Sequence, residues 1–200
     1  MCTIIVFALC KELFAGSSFK IWGLVFFSMQ SNILVLLCLM AFVVVPLSRK
    51  AIDMLRGTSL LAILLTGIVY NFGIFDVFSD WGTEAFTFSR VAAHIVVPAM
   101  YVLDWLLFDV HGGMKWKDIL IWAIYPLCYC IASVVAVEII GLSIYYFFDA
   151  SKGIGHLVLS SFLLVCVGIV ICLFIIGLDK LMSRGVSGCK RSNSGRGQCQ

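Results

Sequence analysis

The sequence predicts an all-α membrane protein, a polytopic helical bundle of about six transmembrane helices with both termini in the cytoplasm. Two features of the composition predict the class: of 200 residues, 62% are hydrophobic and only 12% are charged. A soluble domain carries about 25% charged residues, so this chain falls in the membrane class. A third feature, the placement of the basic residues, predicts the orientation.

Five stretches are long and apolar enough to cross a bilayer, which takes about 20 residues. They are Lys20–Pro46, Thr58–Phe78, Val91–Phe108, Ile119–Ile140 and Leu157–Leu178. A sixth stretch, Thr3–Phe19, is short and is interrupted by Lys11 and Glu12. We interpret it as a first helix, or as the remnant of a longer helix that starts upstream. The bundle is then one domain, residues 1–182, and residues 183–200 are expected to form a basic, disordered cytoplasmic tail.

The basic residues are distributed unevenly between the two sides that six spans define. Ten lie on the side of the termini: Arg49, Lys50, Arg56, Lys115, Lys117, Lys180, Arg184, Lys190, Arg191 and Arg196. Four lie on the opposite side: Lys11, Lys20, Arg90 and Lys152. Because Lys and Arg accumulate in cytoplasmic loops, the side with ten basic residues is predicted to face the cytoplasm.

A run of polar side chains interrupts the second span, at Phe26–Val35, FFSMQSNILV. In hydrocarbon, such groups must find a partner or face an interior cavity, so a cluster of them marks a candidate site. Helical spacing places Ser28, Ser31 and Asn32 on one face and points Gln30 elsewhere.

The fourth span offers a histidine at a similar depth. Counted from the outer ends at Lys20 and Arg90, Ser28 lies about 12 Å and His94 about 6 Å into the membrane. Pro98 has no N–H to donate to the carbonyl of His94, which predicts a kink and a free backbone acceptor there. Ser28 and His94 can therefore meet if the two helices are neighbours.

A hydroxyl and an imidazole are the minimum for nucleophilic catalysis, in which the imidazole takes the proton as the hydroxyl attacks a carbonyl. Ser28 is the candidate nucleophile and His94 the candidate base, with Asn32 or Asn71 supporting the oxyanion or the histidine. The alternative is that these groups only hydrogen-bond between helices. Composition favours that alternative for Ser31 and Asn32 and leaves the two interpretations even for His94.

Several motifs are missing from the sequence: G-x-S-x-G, H-E-x-x-H, a Walker loop and GxGxxG. A soluble-type serine hydrolase, a zinc protease and a nucleotide-dependent enzyme are therefore unsupported. We expect no metal, no cofactor and no nucleic-acid partner. A transporter remains open, although the spans carry few charges and no obvious inverted repeat.

Four short motifs resemble a bacterial family of small six-span integral membrane proteins. They are FFSMQSNILV at Phe26–Val35, HIVVPAMYVLDWLLF at His94–Phe108, YPLCY at Tyr125–Tyr129 and YYFFDASKGIGH at Tyr145–His156. That family in turn resembles the eukaryotic androgen-induced-gene type intramembrane threonine hydrolases, which include the androgen-dependent TFPI-regulating protein.

The resemblance implies an intramembrane hydrolase that cleaves a lipid ester of the fatty acid ester of hydroxy fatty acid type, near the outer leaflet of the bacterial cytoplasmic membrane. The family's threonine nucleophile falls on Ser28 and its histidine on His94. The change from Thr to Ser keeps the hydroxyl and loses the methyl that restricts χ1. The alternative function is a non-catalytic membrane protein that binds or transports a lipid or small molecule.

Overall fold

A computed structural model of the chain describes residues 1–15, 18–19, 21–74, 88–140 and 153–194. Its α-helices are α1 (Cys2–Leu13), α2 (Phe27–Val44), α3 (Arg49–Ile68), α4 (Phe88–Val91), α5 (Val97–Phe108), α6 (Ile119–Trp122), α7 (Ile124–Ile140) and α8 (Ile154–Ser194). Turns of 3-10 helix span Ile21–Val25 and Trp116–Asp118, and π-helical segments span Val69–Ile74 and Ala92–Val96. Two short strands, β1 (Phe14–Ala15) and β2 (Ser18–Phe19), pair antiparallel with Phe14 opposite Phe19.

Five helices are long and apolar enough to cross a membrane, which confirms the prediction of a multi-pass helical membrane protein. They are Phe27–Val44, Arg49–Phe72, Phe88–Phe108, Trp116–Ile139 and Ile154–Arg184. Helix α1 is apolar but shorter. The count of six spans and the orientation remain predictions, and the predicted end of the third span at Phe78 lies outside the described residues.

The third span begins nine residues before its predicted start. Ser48 caps the helix by accepting a hydrogen bond from the N–H of Ala51 at 3.3 Å, as N-cap serines do. The predicted start at Thr58 is wrong, because the helix begins at Arg49. Hydropathy left residues 49–57 out of the span because several of them are charged. Arg56, assigned to a loop from the sequence, lies inside α3 and is only 4% exposed.

Helix α3 is the centre of the bundle. Of its span, 61% is buried, against 11–33% for the other four spans. Its apolar side chains, such as Leu60 and Ile63, form the core together with Tyr101 of α5 and Ile175 of α8. Polar groups on α3 such as Ser59 and Arg56 are therefore shielded from both lipid and water.

Close approach between α3 and α6 requires a glycine at position 57. A Cβ atom on Gly57 would lie 2.0 Å from Cε2 of Trp122, whose indole is fully buried. Without a side chain at this position, the indole packs directly on the backbone of α3.

Large apolar side chains remain exposed on the outward faces of these helices. Examples from four of the five long helices are Val43, Phe72, Phe108 and Ile139. In water such a surface would be an aggregation hazard, whereas hydrocarbon tails match it. This surface agrees with a protein that lies in a membrane.

Hydrogen bonds between helices define the two ends of the bundle. At one end, Arg49 donates to the carbonyl of Val110 and the N–H of Gly112 donates to Asp179. We call this the basic end, because the start of α3, the end of α5 and the basic part of α8 meet there. At the opposite end, the start of α2 meets the π-helical segment that contains Ala93, because Asn32 donates to the carbonyl of Ala93.

The last helix continues past the boundary that the sequence predicts at residue 183. Its backbone is helical to Ser194, which covers much of the segment that we expected to be a disordered tail. The division of the chain at residue 183 stays a prediction.

Candidate functional site

Ser28 lies in the first turn of α2, not deep within a span. A 3-10 turn precedes the helix, which begins at Phe27, so the depth of about 12 Å expected from a start at Lys20 does not apply. The residue before the helix, Phe26, makes no side-chain cap. In this turn the N–H groups of Met29 and Gln30 donate to the carbonyl of Phe26, and the turn lies at the positive end of the helix dipole. Ser28 is therefore placed where a developing negative charge is stabilised.

A π-helical turn surrounds His94. At its end the N–H of Val97 bonds to the carbonyl of Ala92, one residue further back than in an α-helix, where Ala93 would be the acceptor. The carbonyl of Ala93 instead accepts from Nδ2 of Asn32 at 3.2 Å. Turns of this kind recur at functional sites.

Asn32 ties this turn to the start of α2. Its Nδ2 also donates to the carbonyl of Ser28 at 2.8 Å, so one amide group bonds both the backbone of Ser28 and the residue next to His94. The two helices are neighbours at this level, as catalysis by Ser28 and His94 requires.

The imidazole of His94 is held in one tautomer. Its Nδ1 lies 2.9 Å from the carbonyl of Arg90, and because a carbonyl only accepts, Nδ1 carries the proton. The lone pair of the neutral ring is then on Nε2, the nitrogen that can act as a base. The ring of Tyr70 stacks on the imidazole with a centroid distance of 3.8 Å, which fixes the plane of the ring.

The predicted free acceptor at His94 is present and has found a partner. Pro98 leaves the carbonyl of His94 without a helical donor, and Nδ2 of Asn71 donates to it at 3.3 Å and to the carbonyl of Gly67 at 2.6 Å. Gly67 permits this approach, because a Cβ there would lie 3.2 Å from the His94 oxygen. Asn71 lies on the other π-helical segment, Val69–Ile74, so two irregular helical turns face each other.

These contacts decide what the two asparagines can do. Each amide NH₂ has two protons, and both Asn32 and Asn71 donate them to backbone carbonyls. Neither retains a proton for an oxyanion, so their geometry favours the other predicted role, support of the histidine segment. The Oδ1 of Asn32 is buried and accepts no hydrogen bond within the described residues.

The neighbouring polar residues bond elsewhere. The hydroxyl of Ser31 lies 2.7 Å from that of Thr66 on α3, an interhelical bond of the kind predicted for it. Gln30 points away from this face, as expected from its spacing, and accepts from the hydroxyl of Tyr125 at 3.1 Å.

The backbone segments that carry Ser28 and His94 are joined, but no hydrogen bond links the two side chains among the described residues. The hydrogen bonds between their segments run through Asn32, and Nδ1 of His94 bonds its own helix. Catalytic hydrogen bonds are often long in the absence of substrate and tighten only when it binds. The pair therefore stays a hypothesis about side-chain positions in the complex with substrate.

A second polar cluster, at the basic end, was missed by sequence reasoning. The guanidinium of Arg56 makes two hydrogen bonds to Asp109, at 2.7 and 2.8 Å, and one to Asp104 at 2.9 Å. The rings of Phe42 and Tyr101 each lie 4.8 Å from its Cζ. The signal in the sequence was that Asp104 and Asp109 lie near the end of the fourth span, on the side where Arg56 was also predicted.

The loop after α5 is held by a carboxylate of α8. Asp179, 1% exposed, accepts from the N–H groups of Gly112 at 3.0 Å and Met114 at 3.2 Å. Nδ1 of His111 lies 3.4 Å from the same carboxylate. Asp179 therefore joins α8 to the loop after α5, whereas Nδ1 of His111 is buried and makes no hydrogen bond within the described residues.

Within the described ranges, no group of three His, Cys, Asp or Glu side chains is arranged to hold a metal ion. No protein-family model, curated protein or solved structure matches the chain.

Proposed function

We propose that the protein is an intramembrane hydrolase of a lipid ester, with Ser28 as nucleophile and His94 as general base. The substrate class is the fatty acid ester of a hydroxy fatty acid, which is what the resemblance of the sequence motifs implies. The full proposal places six spans in the bacterial cytoplasmic membrane, with both termini cytoplasmic and the site towards the outer leaflet.

The observation that carries the proposal is the tautomer of His94 beside the start of α2. A proton on Nδ1, bonded to Arg90, leaves Nε2 as the basic nitrogen. Asn32 holds the segment of His94 against the backbone of Ser28. A base of defined tautomer, on a segment joined to a hydroxyl-bearing helix N-terminus, supports a role in nucleophilic catalysis.

The reaction would proceed in two balanced steps. The hydroxyl of Ser28 transfers its proton to Nε2 of His94 while its oxygen attacks the ester carbonyl, and the imidazolium then protonates the leaving alkoxide. Water, deprotonated by the same nitrogen, hydrolyses the acyl-serine and restores the hydroxyl. The negative charge on the carbonyl oxygen would be stabilised by the positive end of the α2 helix dipole, since the amides of Asn32 and Asn71 are already engaged.

A fluorophosphonate probe tests this assignment in the purified protein. Wild type should be labelled, and both Ser28→Ala and His94→Ala should lose labelling. Ser31→Ala is the matched control, because it removes a hydroxyl one turn away that bonds Thr66, and it should retain labelling. Persistent labelling of Ser28→Ala would remove Ser28 as the nucleophile.

A second function, a non-catalytic protein that binds or transports a lipid or small molecule, is favoured by a different observation. The amides of Asn32 and Asn71 and the hydroxyl of Ser31 bond backbone carbonyls or another helix, which is how polar residues hold membrane bundles together. Thermal unfolding separates the two: strong destabilisation by both Ser28→Ala and His94→Ala, without any ester cleavage by wild type, would favour the structural role.

A further inference from the structure

We propose that the basic end of α6–α7 and α8 forms a binding site for one anionic phospholipid. Its headgroup would lie on the cationic surface where the two helices meet, and one acyl chain would lie in the apolar groove between them. The site shares no residue with the candidate catalytic pair, Ser28 and His94, and does not depend on the catalytic proposal.

The headgroup surface is built around an exposed tryptophan. Trp116 is 50% exposed, and Nζ of Lys180 lies 4.6 Å from its ring centroid. The turn that precedes α6 and the basic part of α8 are therefore in contact. Arg184 follows Lys180 by four residues and shares its face. Lys115 and Lys117 flank the tryptophan and are exposed. A tryptophan beside lysines and arginines is typical of the level of the lipid headgroups.

The acids at these two helix ends do not neutralise that surface. Asp118 is 4% exposed and accepts from the N–H of Lys115 at 2.8 Å. Asp179 is 1% exposed and accepts from the N–H groups of the loop after α5. Both carboxylates are buried, so the exposed charges of Lys115, Lys117 and Arg184 are not neutralised by them and complement an anionic lipid.

An apolar groove starts directly below this surface and runs between the same two helices. Its walls include Ile119, Pro126 and Cys130 on one side and Gly168 and Cys172 on the other, with Leu61 of α3 behind. Ile119 lies three residues after Trp116. The groove extends roughly 16 Å from Ile119 to Cys130, at 1.5 Å per residue. That is about half of a hydrocarbon core of roughly 30 Å, the length available to one chain from the leaflet at the basic end.

A glycine keeps the groove open. A Cβ on Gly168 would meet only Cδ1 of Leu61, at an ordinary 3.9 Å, so a side chain there would enter the groove without straining the backbone. The groove has a cavity volume of about 60 Å³, and its walls include Leu127 and Ile169, which are both exposed. A chain can therefore enter from the membrane.

Native mass spectrometry of the full-length protein in detergent, titrated with phosphatidylglycerol or with phosphatidylcholine of the same chains, tests the site. Wild type should bind the anionic lipid at least fivefold more tightly. Lys180→Gln and Arg184→Gln should each weaken its binding about fivefold, since one cation near the surface is worth about 1 kcal/mol. Lys50→Gln, exposed at the same end on α3, is the matched control and should bind as wild type.

The groove is tested by filling it. Gly168→Phe should weaken binding of phosphatidylglycerol, whereas Gly177→Phe, on the same helix where a Cβ meets nothing within 4 Å, should not. If Gly168→Phe does not fold, Gly168→Leu takes its place. Excess glycerol phosphate separates a lipid from a free anion and should fail to displace the lipid. Equal affinity for the two lipids, displacement by glycerol phosphate, or equal binding by the two glycine variants would overturn the proposal.

Discussion

Arg56→Leu should be among the most destabilising single substitutions in this protein. The guanidinium is the partner of two carboxylates, with three hydrogen bonds of 2.7 to 2.9 Å to Asp104 and Asp109. Its side chain is 5% exposed, whereas those of the aspartates are 29% and 16% exposed. Leucine would keep an apolar contact with Phe42 and Tyr101 but would leave two like charges facing each other.

Removal of one partner from a buried ion pair costs about 3–5 kcal/mol, because the remaining charge is uncompensated. The aspartates retain some contact with the surroundings, so we expect the lower end, about 3 kcal/mol or roughly a hundredfold in the folding equilibrium. Arg56→Lys should recover only part of this, because an ammonium cannot make the two parallel bonds to Asp109.

Equilibrium unfolding in mixed micelles of a mild detergent and dodecyl sulfate measures the change. Lys50→Leu, on the exposed face of the same helix, is the control and should change the free energy of unfolding by less than about 0.5 kcal/mol. In a background with Asp104→Asn and Asp109→Asn, Arg56→Leu should cost little, since the charges it compensates are gone. An equal cost in both backgrounds would refute ion pairing and assign the effect to packing on Phe42 and Tyr101.

Three further outcomes follow from named contacts. Gly57→Ala should lower the free energy of unfolding by about 1–3 kcal/mol, because its Cβ would overlap the indole of Trp122, and Trp122→Leu in the same chain should restore part of it in the same unfolding assay. Asp179→Leu should speed hydrogen exchange of the Gly112 amide roughly tenfold or more, because the N–H loses its acceptor; an unchanged exchange rate would contradict the contact. Ser28→Thr should retain fluorophosphonate labelling at a rate within about tenfold of wild type, and complete loss would contradict the expectation that a threonine can replace the serine at this position.

The class of fold was predictable from the sequence because hydrocarbon imposes it. Length and apolar composition predicted five apolar stretches, each of which overlaps one of the five long helices, since a helix is the only open segment that satisfies its own backbone in lipid. The same reasoning failed at the start of α3, where hydropathy treats each charge alone. Arg56 is tolerated inside the helix only because Asp104 and Asp109 come from a distant part of the chain.

Part of the candidate site was also predictable. Pro98 predicted the free carbonyl of His94, because proline has no N–H to donate to it. The helical spacing of Gln30 correctly predicted that its side chain points away from Ser31 and Asn32. The donor to that carbonyl, Asn71, and the π-helical turn that exposes Ala93 to Asn32 depend on how two helices approach each other. Residue spacing along one helix carries no information about that approach.

The central claim is that the hydroxyl of Ser28 and Nε2 of His94 act on the same reacting atom. A structure of the protein after reaction with a fluorophosphonate tests it most directly. The account requires the phosphorus to be bonded to Oγ of Ser28, with Nε2 of His94 within roughly 2.6–3.2 Å of an oxygen of the adduct. Phosphorus bonded to any other residue, or an imidazole turned away from the adduct, would contradict it.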